Sequence, residues 1–144
     1  MLLVRHSLKK SKVHGIGVFA SEPIPKGTVI WRFTPGFDLK FTRRQILTLP
    51  DGAQSYLCMY GWKSKKSKRY CVALDAGKHI NHSETPNCRS EYVDGEDEVV
   101  TIALRDIHVG EEILEDYSSL EDENDANNIF FKMREKYHPE ESEF

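Results

Sequence analysis

The stretch Ile80-Asn81-His82-Ser83-Glu84-Thr85-Pro86-Asn87-Cys88 decides how this chain is read. It is dense in amide, imidazole, hydroxyl and thiol groups. Yet it follows the apolar run Tyr70-Cys71-Val72-Ala73-Leu74, which predicts a buried strand. Polar side chains next to a core strand must find hydrogen bonds or they cost stability. Taken alone, the nonamer also fits a loop that caps itself, with Asn81 and Asn87 as turn formers, Pro86 fixing the backbone and Ser83 bonding a nearby amide. The rest of the chain decides between these readings.

The 144 residues suffice for one domain with a real core, and 39% apolar with 30% charged residues describes a polar globular chain. A net charge of -3 argues against direct nucleic-acid binding. No apolar run is long enough to span a bilayer, so no membrane partner is expected. Arg5 and His6 interrupt Leu2-Leu3-Val4, which argues against a secretory signal. The cysteines, Cys58, Cys71 and Cys88, form no Cys-x-x-Cys pair. That argues against a zinc site, and their odd number fits a reducing, intracellular compartment, cytoplasmic or nuclear.

Upstream of the nonamer, residues 2–5 predict a first short strand and the basic residues 9–12 a solvated loop. Gly15-Ile16-Gly17 permits a tight turn and close approach to the main chain, and Val18-Phe19-Ala20 predicts a strand. It is not the dinucleotide fingerprint, which needs a third glycine and a following helix. Residues 29–33 predict a strand with Val29, Trp31 and Phe33 on one face. Thr42-Arg43-Arg44-Gln45 fits a capping box, with Pro50 stopping that helix, and residues 51–60 predict a further helical stretch ended by Gly61. The five basic residues within 63–69 predict a solvated loop.

Downstream, Asp94-Gly95 between two β-prone runs signals a hairpin. Asp125 is the expected cap of a last helix running through Tyr137, and Pro139 the start of a frayed acidic tail. An internal echo links Ile24-Pro-Lys-Gly27-Thr-Val-Ile30 with Ile107-His-Val-Gly110-Glu-Glu-Ile113. Both have the form of a turn feeding a strand. The pattern as a whole is many short strands with few helices, mostly β with α additions.

Four segments, in order, resemble the motifs of the SET domain, the fold of most protein-lysine methyltransferases. Gly15-Ile16-Gly17-Val18-Phe19-Ala20 resembles the first Gly-x-Gly motif. Asp75-Ala76 followed by the nonamer resembles the Asn-His-Ser-x-x-Pro-Asn motif. Ala103-Leu104-Arg105-Asp106-Ile107 resembles the approach to the last motif, and Gly110-Glu-Glu-Ile-Leu-Glu-Asp-Tyr117 resembles that motif itself. The resemblance implies a β-clip-like fold of short strands in several small sheets with a C-terminal pseudoknot. It implies a SET domain over 1–120 with a helical insert at about 41–62, closed by a C-terminal helix and acidic tail over 121–144.

It also implies methyl transfer from S-adenosyl-L-methionine to a lysine side chain of a protein substrate, a histone tail among the candidates, by a monomer or homodimer. His14, Gly15, Ile16, Gly17, Asn81, His82 and Tyr117 stand at cofactor-binding positions, with Asn81 helping to hold the methionine end, and Tyr117 at the catalytic tyrosine position. Trp31, Tyr60, Ser90, Glu115 and Phe130 stand at positions lining the substrate lysine channel. No metal is implied, and the zinc-binding cysteine clusters that often flank the family's domains are absent, as in its small viral and bacterial members. Glu115 departs from the motif, which has an aromatic there, and this leaves the degree of methylation open. The same departure keeps a non-catalytic module, binding peptide or cofactor without turnover, as the alternative.

Overall fold

In the computed structural model, which describes residues 1–141, ten short strands and three α-helices build three small sheets. The first pairs β1 (His6–Lys10) with β2 (Ile16–Ala20) antiparallel, Ser7 opposite Phe19. The expected strand at 2–5 therefore starts later, and Lys9 and Lys10 belong to it. In a pleated edge strand alternate side chains face water, so lysines serve as well as loop residues there. Leu2 instead makes an isolated bridge to Trp31.

Next come β3 (Val29–Arg32), β4 (Leu39–Phe41), α1 (Arg43–Leu47), α2 (Asp51–Tyr60), β5 (Trp62–Lys63) and β6 (Tyr70–Val72). A register shift between Val29 and Trp31 breaks the expected alternation in β3, so that Ile30 and Trp31 are both buried. The capping box opens α1: Gln45 N donates to Thr42 Oγ1 (3.1 Å) and Thr42 N donates to Gln45 Oε1 (2.8 Å). Pro50 does not stop α1, which ends at Leu47; it occupies the N-cap of α2, where its fixed φ suits a helix start. β4, β6 and β5 form a second sheet in that order.

The third sheet carries the motifs. It adds β7 (Asn81–His82), β8 (Cys88–Tyr92), β9 (Val99–Ala103) and β10 (Leu114–Glu115), in the order β3-β9-β8-β10-β7. The signalled hairpin joins β8 to β9 through a six-residue loop in which Gly95 takes a positive φ of 86°. The sequence echo becomes a physical pair. Ile24 and Ile107 exchange backbone hydrogen bonds of 2.9 and 2.8 Å, Gly27 and Gly110 both turn in the left-handed region, and Ile30 and Ile113 are both fully buried in one cluster.

The last helix, α3 (Ile129–Tyr137), is capped by Asn128, whose Oδ1 accepts from Phe130 N, and not by Asp125. Asp125 is held elsewhere, by Lys63 at 2.7 Å. The start of the acidic tail, Pro139–Glu141, forms a 3₁₀ turn; residues 142–144 of the expected frayed tail lie outside the described residues. Three apolar clusters result. One surrounds Val18, Ile30 and Ile113, one joins α2 and α3 around Leu57, Tyr70 and Phe130, and one holds Trp31, Phe33 and Trp62.

Candidate active site

β10 inserts between β7 and β8, which are consecutive in the chain, so residues 83–87 loop around the last motif and the two segments interlock. Every polar group of the nonamer that enters this crossing has a partner. Asn87, 3% exposed, donates from Nδ2 to Glu112 O (2.8 Å) and accepts at Oδ1 from Leu114 N (2.9 Å). Its side chain thus extends a strand ladder that its backbone continues through Leu114 O at 3.0 Å. Ser83 N donates to Glu115 O, and Ser83 Oγ accepts from Thr85 N. The self-capping loop is present, but only at the tip of a deeper clasp.

The three motifs meet at Glu112. Its Oε1 accepts from Asn81 Nδ2 at 3.0 Å and its Oε2 from Ser11 Oγ at 2.9 Å. Charge-assisted bonds of this kind are the stronger ones. Gly17 is what lets Glu112 come so close, because a Cβ there would stand 2.1 Å from Oε1. Asn81 Nδ2 also donates to His14 O (2.9 Å) and Ile16 O (3.1 Å). Its two amide hydrogens are therefore shared between Glu112 and the Gly-Ile-Gly turn, where Gly15 has a φ of 46°. Asn81 thus braces this turn.

A cleft of about 760 Å³ opens where the three clusters meet, with Ile80 from the first, Tyr60 from the edge of the second, and Trp31, Trp62 and Ala73 from the third. Tyr117 lines it beside the crossing. Its hydroxyl donates to Ile80 O at 2.6 Å, its N–H donates to His82 Nδ1 at 3.1 Å, and its ring stands 5.3 Å from the His82 ring. Burial first, and then the neighbouring Glu115, hold the phenol pKa well above its ordinary range. The hydroxyl is therefore a neutral donor at physiological pH.

Glu115 lines the same cleft and is 3% exposed. Its Oε1 accepts from Ser119 Oγ at 3.2 Å, and among the described residues it enters no ion pair. Burial raises its carboxyl pKa to about 7, against the opposing effect of hydrogen bonds from Ser90 and Ser119.

Of the residues at channel positions, Trp31, Tyr60, Ser90 and Glu115 line the cleft. Phe130 does not: it is fully buried, with its ring 4.7 Å from Tyr70, as a core residue joining α3 to the second sheet. The adjacent Phe131 takes the cleft-facing place. Helical spacing explains the exchange, since residues 130, 133 and 137 share one face and 131, 134, 135 and 138 share another. Of the residues at cofactor positions, His82 and Tyr117 line the cleft. His14 meets it only indirectly, through Glu141 at 3.5 Å, and Gly15, Ile16, Gly17 and Asn81 are not in its lining; they form the turn and its brace behind the crossing.

Sequence reasoning missed Trp62, Thr101, Leu120 and Arg134, all in the lining. Arg134 ties α3 to the end of α2, donating to Cys58 O (2.7 Å), Gly61 O (2.9 Å) and Glu121 Oε2 (3.0 Å). It thereby satisfies carbonyls that a helix C-terminus leaves open. The periodicity of 131, 134, 135 and 138 was the signal that could have found it.

Among the described residues no helix is long and apolar enough to cross a membrane, and no group of three His, Cys, Asp or Glu is placed to hold a metal. The chain is 34% identical over 113 residues to the N-lysine methyltransferase KMT5A-A of Danio rerio, a match that covers 72% of this chain and 32% of that protein. It is 25% identical over 112 residues to the histone-lysine N-methyltransferase 2D of Homo sapiens, covering 76% of this chain and 2% of that protein. It thus spans a third or less of these relatives. A chain in a humanized mutant of the Chaetomium thermophilum Polycomb Repressive Complex 2, bound to the inhibitor GSK126, shares the fold with a TM-score of 0.62 at 20% identity, over 81% of this chain and 15% of that one. The family model of the SET domain matches residues 15–118, and with its motifs interlocked around β10 this chain belongs to the SET domain family.

Proposed function

We propose that this protein transfers a methyl group from S-adenosyl-L-methionine to a lysine side chain of a protein substrate. The observation that carries the reading is the place of Tyr117, its protonated hydroxyl fixed on Ile80 O at the wall of an apolar cleft beside the interlocked motifs. The donor, when bound, supplies a sulfonium methyl open to direct displacement.

The residues present fit such a group. β7 is an edge of its sheet, so the backbone of His82 is free of a strand partner on that side and suits a heterocycle's donors and acceptors. The turn at Gly15–Gly17, with Gly15 in the left-handed region, lies next to β7 through the Asn81 side chain. Carboxyl groups of Glu115 and Glu135 in the lining suit a cation. The buried indole N–H groups of Trp31 and Trp62, both cleft residues, have no acceptor among the described residues, which fits a site that receives a ligand.

Mechanistically the chain's task is alignment. Trp31, Tyr60, Trp62 and Phe131 wall the cleft and exclude water from a lysine stem, while Tyr117 orients the reacting amine. Holding two reactants in line is worth roughly 7–11 kcal/mol. The lysine has an ordinary pKa of about 10.4, so an apolar wall that disfavours its ammonium form also helps supply the nucleophile. The names of the relatives make histone lysines the first substrates to test.

The test is transfer of radiolabelled methyl from S-adenosyl-L-methionine to histones and to a mixed protein extract, with calorimetry for the donor. One-site binding and labelled lysine are expected. Binding without any transfer would leave a non-catalytic module, and no binding at millimolar concentration would reject both. Asn81→Ala should weaken donor binding, since releasing the brace on the Gly-Ile-Gly turn forfeits on the order of 1–3 kcal/mol.

A further inference from the structure

A lysine that enters this cleft must lose a proton before its nitrogen can attack, and Tyr117 is not the acceptor. Its hydroxyl already donates to Ile80 O and is held protonated by burial and by Glu115. We propose that Glu115 pairs with the substrate ammonium inside the cleft and accepts its proton, so that Glu115 is a second catalytic residue. The proposal rests on the methyltransferase reading given above.

Three observations carry it. Glu115 lies in the cleft wall together with Tyr117, on β10 at the interlock. It is 3% exposed, and its hydrogen bonds come from serines, Ser119 Oγ at 3.2 Å and Ser90, with no charged donor among them. Among the described residues no cation is paired with it, whereas the other buried glutamate, Glu98, has a lysine at 3.0 Å. A buried carboxylate without a counter-charge is costly to keep unless something recovers that cost, and an incoming ammonium does so. Its elevated pKa of about 7 also matches a group that must take and release a proton near neutrality.

The charged groups around it do not supply a competing partner. On β7 the facing group is His82, whose Nδ1 is occupied by Tyr117 N. On β8 it is Cys88, a buried thiol held well above its ordinary range by burial. Asp116 follows it in sequence and is held by Ser118 N, and Arg134 across the cleft is committed to Glu121 and two carbonyls.

The step balances. The ammonium N–H gives its proton to a Glu115 oxygen, leaving a neutral amine. The amine nitrogen then forms its bond to the methyl carbon as the carbon–sulfur bond of the donor breaks, and the sulfur keeps that electron pair as a neutral thioether. The product is a methylammonium, and the Glu115 carboxylic acid returns its proton to solvent.

The experiment is a pH–rate profile on a lysine peptide for the intact chain, Glu115→Gln and Ser119→Ala, with infrared titration of the carboxyl groups without turnover. Glutamine keeps the shape and the acceptor for Ser119 Oγ but cannot take a proton. It should lower kcat at pH 7 by roughly 100-fold and recover most of it as pH climbs toward the free lysine range. Ser119→Ala removes a bond that favours the carboxylate and should move the acidic limb of the profile to higher pH. The infrared spectrum should show an acid band at pH 6 that is gone by pH 8.5, is absent in Glu115→Gln and titrates later in Ser119→Ala. An active wild-type protein with an unchanged profile in both variants, or without that band, overturns the role of Glu115 alone. A wild-type protein inactive at every pH overturns the methyltransferase reading, and this role with it.

Discussion

Glu98, just before β9, and Glu115, within β10, are both buried, at 0% and 3% exposure, and their surroundings could hardly differ more. Glu98 sits against the second sheet, where Lys40 Nζ lies 3.0 Å from one oxygen and Ser64 Oγ donates to the other at 2.5 Å. Lys40 is in turn shared with Asp97 at 2.7 Å, and these hydrogen bonds raise its pKa although burial works against the charge. Glu115 is hydrogen-bonded by Ser90 and Ser119 and, among the described residues, pairs with no cation. The first carboxylate is neutralised by the chain that carries it. The second has no such partner, and it lines the cleft proposed above for the substrate lysine. The same residue type, equally buried, is structural in one place and chemical in the other, and the difference lies in the partner.

The largest expected effect comes from breaking the paired site. Lys40→Met leaves Glu98 buried without its counter-charge and should lower unfolding free energy by about 3–5 kcal/mol, read from urea melts at pH 7. Turnover per folded molecule at low temperature should be unchanged. A stability loss below about 1 kcal/mol would mean that the pair contributes little and that the contrast between the two glutamates is overstated.

Neutralising the unpaired site should do the reverse. Glu115 has a folded pKa of about 7 against an ordinary 4.5, so between those values the folded chain binds a proton that the unfolded chain has lost. Stability therefore falls as pH rises through that window and is fully diminished above it. Glu115→Gln removes this slope. The variant should gain on the wild type by an amount on the order of 3 kcal/mol between pH 4.5 and pH 8. Parallel stability curves for the two proteins would refute the unpaired assignment.

Two tyrosine hydroxyls extend the contrast to smaller effects. Tyr117→Phe should slow methyl transfer about 100-fold, equivalent to about 2.7 kcal/mol of barrier, with melting temperature and donor affinity nearly intact. Tyr70→Phe deletes a hydroxyl that accepts from Ile129 N (3.2 Å) and donates to Asn127 O (3.3 Å) in the core. It should cost about 1 kcal/mol of stability and leave the rate alone. A Tyr117→Phe protein with the wild-type rate would make Tyr117 a structural tyrosine like Tyr70.

Local chemistry made much of this legible in the residue order. The Thr42–Gln45 capping box, the positive-φ turns at Gly27, Gly95 and Gly110, and the apolar run of β6 follow from short-range stereochemistry and patterning. The interlock was implied only by the resemblance of the motif segments to a SET domain; the polar groups beside a core strand required partners without saying where. Asn87 and Asn81 found them in the last and first motifs.

Other features were decided only by tertiary structure. Which of Phe130 and Phe131 faces the cleft depends on how α3 rotates against α2, and the Arg134 bonds to Cys58 O and Gly61 O hold it there. That Gly17 answers to Glu112 rather than to a ligand alone depends on residues 95 positions apart meeting. That Glu98 has a lysine while Glu115 has none is likewise invisible in a sequence that holds 23 acidic and 20 basic residues, enough to pair either. Periodicity and caps act over a few residues and are written into neighbours. The pairing of buried charges acts through space, and only the packed chain determines which opposite charge comes within reach.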